Sequence, residues 1–111
     1  MAVYVSNLVI NTGTTFSQTF NLEATENNAA FNLTGFTATA QMRKHAGSSS
    51  KVDFDATIPV PLDGKIMLEL SAGDTSNIKA GRYVYDIIVT KGVSKTTVVE
   101  GNVLVREGVT R

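Results

Sequence analysis

The sequence predicts a single-domain β-sandwich. Segment after segment alternates apolar and polar side chains with a period of two, and clusters of Gly, Asn, Asp and Ser separate the segments. A strand with one apolar face needs a second layer to cover it, and several such strands in one chain can cover one another. At 111 residues and without cysteine, the chain is long enough to bury a core that does not depend on disulfides.

The alternation is clearest after the Leu33-Thr34-Gly35 turn. Phe36, Ala38, Ala40 and Met42 fall on one face of an extended segment, and Thr37, Thr39, Gln41 and Arg43 on the other. Gly35 supplies a backbone conformation that a side chain would oppose.

Upstream, residues 2–10 are rich in β-branched and aromatic types and form a first strand ending at the Asn11-Thr12-Gly13 turn. Val3, Val5 and Val9 share one face, and Tyr4, Leu8 and Ile10 the other, so both faces are partly apolar. Such a strand is either covered on both sides in its own domain, the reading favoured, or an edge or arm that completes a neighbour's sheet. A second strand over residues 14–24 places Phe16, Phe20 and Leu22 on one face, with Asn27-Asn28 at the following loop tip.

Downstream, residues 44–50 read as an exposed polar loop. Val52, Phe54, Ala56 and Ile58 then alternate with Asp53, Asp55 and Thr57 in a half-buried strand that Pro59 and Pro61 end or confine to an edge. Asp63-Gly64 suits a tight hairpin turn, after which Ile66, Leu68 and Leu70 face inward. Ser71 and Asp74 stand at the spacing of a capping box, which predicts one helical turn over residues 73–78, with Ile78 plugging an end of the sandwich. Residues 82–90 have the strongest strand propensity and predict a central strand, with Tyr83, Tyr85, Ile87 and Val89 on one face. A hairpin at Gly92 leads to a long final strand. There Thr97, Val99, Gly101, Val103 and Val105 alternate with Val98, Glu100, Asn102 and Leu104, and Gly101 marks a bulge or a close approach by another chain. The tail after residue 106 is expected to fray unless a partner holds it.

Charge and composition limit the function. Ten basic and ten acidic residues give a formal net charge of zero, so no positive field draws nucleic acid or anionic lipid. No apolar run reaches the length of a membrane span, and residues 1–10 lack a basic n-region and a cleavage site, so synthesis in the cytoplasm is expected. A near-zero charge gives little protection against association between strand edges.

Catalytic chemistry is sparse. His45 is the one histidine and lies in a Gly/Ser loop, the setting of a solvated residue rather than a base or ligand. Asp53 and Asp55 could be imagined as part of a calcium site, but no Gly-turned acidic loop accompanies them and their spacing places both on the solvent face of a strand. Asn32-Leu33-Thr34 matches a glycosylation sequon and is read as part of the turn. The eight aromatic residues mostly alternate with polar residues as core positions do, and no sugar-binding platform is visible. No catalytic residue, metal ligand, cofactor or small-molecule ligand is expected.

Several segments, in this order, carry a resemblance: residues 15–22 (TFSQTFNL), 31–38 (FNLTGFTA) with 41–43 (QMR), 63–71 (DGKIMLELS), 81–86 (GRYVYD) and 100–105 (EGNVLV). Across roughly residues 13–106 the chain resembles the small immunoglobulin-like virion proteins of tailed bacteriophages, related to the N-terminal anchoring domain of baseplate upper proteins. The resemblance implies an antiparallel immunoglobulin-like sandwich of about seven to nine strands. It also implies a non-enzymatic building block of the virion, made in the bacterial host, whose partners are other virion proteins and copies of itself. Unlike the anchoring domain, the sequence carries no helical or fibre segment after residue 106. Capsid decoration and a place at the head-tail joint therefore stand beside docking on a tail or baseplate. Val3, Tyr4, Val5 and Leu8 of the first strand, with Gly101 of the last, are the expected assembly interface. The rival from another class is a carbohydrate- or receptor-binding module, which would show an exposed aromatic platform, with or without an ion held near Asp53 and Asp55.

Overall fold

The computed structural model describes residues 4–22 and 32–109. Among these, nine strands form two sheets that pack together. The larger sheet is built on the hairpin of β8 (Gly81–Lys91) and β9 (Ser94–Arg106). On one side β8 pairs with β4 (Thr37–Arg43), which pairs with β5 (Val52–Asp53). On the other side β9 pairs with β1 (Tyr4–Val5) and β2 (Leu8–Asn11). The smaller sheet runs β3 (Phe16–Asn21), β7 (Lys65–Leu70), β6 (Asp55–Val60).

The period-two pattern determines what meets between the layers. Ala40, Met42, Tyr85, Ile87, Val89, Val103 and Val105 of the larger sheet are buried against Phe16, Phe20, Ile66, Leu68 and Leu70 of the smaller one. The strand read over residues 52–58 is two strands. It leaves the larger sheet after Asp53 and joins the smaller one at Asp55, with Phe54 buried at the crossing. The Phe54 ring lies 5.9 Å from Phe16 below and 6.2 Å, edge-on, from Tyr85 above, so it ties the layers together.

Turn chemistry works as the residues dictate. Gly35 at φ 84° closes the turn into β4, and Gly64 at φ 66° ends a 3₁₀ turn (Pro61–Asp63) that joins β6 to β7. Ser71 caps α1 (Ala72–Ser76), its hydroxyl accepting from the Asp74 N–H at 3.1 Å. The buried Thr75 hydroxyl accepts from Gly13 N–H at 3.1 Å and donates to the Thr14 carbonyl at 2.7 Å, fastening α1 to the β2–β3 turn. Ile78 is buried beside it and closes that end of the sandwich.

Two further expectations need correction. The first strand is broken at Ser6-Asn7 and runs parallel to β9 of its own sheet, with one face buried and the other exposed rather than covered on both sides. In β9 the extra residue is Val98, not Gly101: Ile87 opposes Val99 while Ile88 opposes Thr97, so the register slips by one and both Val98 and Val99 enter the core.

Candidate assembly interface

The residues expected to form an interface separate once the strand is folded. Val3 lies outside the described residues. Tyr4 is half-buried, and Leu8 is 4 % exposed, its side chain packed into the core with Ile10. Leu8 is therefore removed from any docking surface. Val5, 75 % exposed, remains on the outside, joined by Val9 at 51 % and Leu104 at 41 %.

Gly101 does accommodate a close approach, but from its own chain. A Cβ there would overlap the Ser6 carbonyl oxygen, lie 2.8 Å from the Ser6 carbonyl carbon and 3.2 Å from Asn7 Oδ1. Its backbone is not left-handed, so the requirement is for space. The Ser6-Asn7 break nests against it through three hydrogen bonds: Ser6 N–H donates to Glu100 O at 2.9 Å, Asn102 N–H donates to Asn7 Oδ1 at 3.0 Å, and the Tyr85 hydroxyl donates to Ser6 O at 2.6 Å. Burial pushes the Tyr85 hydroxyl up to about 12, so it keeps its proton and its role as donor into the alkaline range where an ordinary tyrosine ionises.

The surface left open is the outer face of the larger sheet, and its rows follow from the strand register. One row across the strands is Val9, Leu104 and Arg82. The next is Asn102, Val84 and Arg43. A third is Val5, Glu100, Asp86 and Gln41. Lys44 and His45 stand where β4 leaves the sheet, and with the rows they line two shallow depressions. Lys44 Nζ lies 4.5 Å above the Tyr83 ring. Arg43 is folded onto its own chain, donating to Ser48 O and to Gln41 Oε1. Arg82, Asp86 and Glu100 make no ion pair with a described residue. Asp86 and Glu100 stand opposite each other across β8 and β9, a like-charge pair that costs stability within the sheet.

The other candidate chemistry is dispersed. Asp53, ion-paired with Lys51 at 3.2 Å, belongs to the larger sheet, and Asp55 to the smaller one, so the two acids do not share the face that their spacing predicted. No group of three His, Asp or Glu side chains able to hold an ion lies together among the described residues. The described aromatic side chains are buried or half-buried. No helix among the described residues is long and apolar enough to cross a membrane.

No family model and no curated protein matches the chain. Among solved structures it is similar to InlP of Listeria monocytogenes, with a TM-score of 0.52 and 14 % identity over 91 % of this chain and 26 % of that one. A family 123 glycoside hydrolase from Clostridium perfringens aligns with a TM-score of 0.47 and 13 % identity over 100 % of this chain and 24 % of the enzyme. The chain thus spans about a quarter of the length of each. The likeness to InlP bears on the fold alone and agrees with two packed β-sheets.

The outward residues were present in the alternation, where Val84, Asp86 and Ile88 oppose the core face of β8, and Glu100, Asn102 and Leu104 do so in β9. What the sequence lacked was the pairing that sets Val5 beside Glu100 and Val9 beside Leu104.

Proposed function

We propose that this chain is a non-enzymatic assembly module, an immunoglobulin-like sandwich that serves as a structural component of a tailed-phage particle. It docks on tail, baseplate or head-tail proteins and on copies of itself; a place on the capsid surface would make it a decoration protein. The observation that carries the reading is the outer face of the larger sheet, where exposed Val5, Val9 and Leu104 lie beside charges left unpaired by described residues. Exposed aliphatic side chains give a partner apolar area to cover, and the charges beside them give it groups to match, which sets orientation and register.

The topology supports the finer fold assignment. Strands β9, β8, β4 and β5 against β3, β7 and β6 follow the order GFCC′ against BED of the immunoglobulin sandwich, with the first strands laid on the last. The phage setting rests on the resemblance of the five segments above, from residues 15–22 to 100–105. His45, Asp53 and Asp55, the side chains that alone suggested chemistry, stand on a loop and on two different sheets, which supports a role without catalysis or a cofactor. Neither nucleic acid nor a membrane is part of this reading.

Mass spectrometry of particles purified from the native source tests it. The expected result is this chain at a fixed copy ratio to a tail, baseplate or capsid protein. Its absence from every particle, with selective binding on a glycan array, would overturn the reading in favour of a recognition module.

A further inference from the structure

We infer that the outer face of the larger sheet pairs with the same face of a second copy of this chain, about a two-fold axis that runs across the strands along the Asn102–Val84 row. The inference rests on the assembly reading above and names one of its partners. Its basis is the order of the rows. Val9, Leu104 and Arg82 form the row on one side of that line, and Val5, Glu100 and Asp86 the row on the other. A two-fold axis lying across the strands reverses strand direction and keeps each strand's place in the sheet. Val9 then faces Val5 of the other copy, and Arg82 faces its Asp86; each contact occurs twice, as an isologous interface requires.

Charge selects this axis over the alternative. An axis along the strands keeps the rows in place and lays the Asp86–Glu100 pair against the same acids of the second copy. The crosswise axis instead brings the Arg82 guanidinium to Asp86, while Glu100, one strand over, faces Leu104 of the other copy. Asn102 and Val84 on the axis meet their own counterparts at no electrostatic cost. Arg43, at the far end of that row, is turned back onto Ser48 and Gln41. Electrostatic matching of this kind sets orientation and register more than strength. With strands about 4.8 Å apart and residues about 3.3 Å apart, the face measures roughly 20 Å each way, the size of a modest contact that mass action fills at high local concentration.

Sedimentation velocity of the full chain over a concentration series, at low and high salt, reads the equilibrium. The wild-type chain is expected to dimerise reversibly, and less so at high salt. Arg82→Asp and Asp86→Arg should each weaken the dimer at least tenfold, and the double variant should restore it. Residues 82 and 86 are roughly 13 Å apart along one strand, too far to pair within a chain, so restoration reports contact between copies. Circular dichroism confirms that each variant is folded. A wild-type chain monomeric at every concentration, single variants that dimerise as well as wild type, or a double variant no better than the singles would each overturn the inference. A monomer that is nevertheless found in purified particles would sink the dimer and leave the assembly reading intact. A dimer from a chain found in no particle would do the reverse.

Discussion

Replacing Gly101 with alanine is expected to unseat the start of the chain. The added methyl would occupy the position of the Ser6 carbonyl, and since both partners are backbone, Gly101 inside β9 and Ser6 in the short break that the pairing of β1 and β2 holds on either side, neither can swing aside as a long side chain would. The Ser6-Asn7 segment must lift from β9, which removes the hydrogen bonds from Ser6 N–H to Glu100 O, from Asn102 N–H to Asn7 Oδ1 and from the Tyr85 hydroxyl to Ser6 O. At about 0.5–1.5 kcal/mol each, the three together give a loss of about 1.5–4.5 kcal/mol. Urea unfolding of Gly101→Ala, with Tyr85→Phe and the double variant completing a cycle, measures it. Because the alanine already breaks the Tyr85 contact, the double variant should be less destabilised than the sum of the singles by about 1 kcal/mol. A Gly101→Ala protein within 0.5 kcal/mol of wild type, or a strictly additive cycle, would refute the nesting of Ser6 on Gly101 as the reason for glycine there.

Two further outcomes follow from the core. Phe54→Ala should cost about 3–5 kcal/mol in the same unfolding assay, since it opens a cavity where the chain changes sheets and strips Phe16 and Tyr85 of their shared ring contact. Tyr85 makes stability depend on alkaline pH: the unfolded phenol begins to ionise near 10 while the folded one holds its proton to about 12. The unfolded state therefore binds fewer protons between those values, and stability present below pH 10 declines as pH rises towards 12. Tyr85→Phe should flatten that part of the pH profile, as followed by thermal unfolding at fixed ionic strength.

Much of the fold could be read from side-chain alternation and turn residues. The core faces of β3, β4, β7 and β8 follow the period of two, and the turns at Gly35, Gly64 and Gly92 lie where positive φ was needed. The Ser71 cap and the plug at Ile78 were equally legible, because capping and closure are local in sequence.

The failures concern information that a period of two does not contain. Alternation through residues 52–58 stays unbroken while the chain crosses from one layer to the other, because Phe54 points into the core from either sheet. An inserted Val98 reverses the faces of β9, yet a valine fits either side of a strand and gives no warning. Parallel pairing of β1 and β2 with β9 joins the two ends of the chain, a contact with no local signal. That pairing also decides the candidate site: it turns Leu8 inward, assigns the space over Gly101 to Ser6, and leaves Val5 and Val9 outside.

Cryo-electron microscopy of intact particles from the native source would confront the assembly role with an image. Regularly repeated density for this sandwich, in contact with its neighbours through the strand rows that carry Val5, Val9, Arg82 and Asp86, is the result expected. Particles complete in every other component but without density for this chain would contradict it.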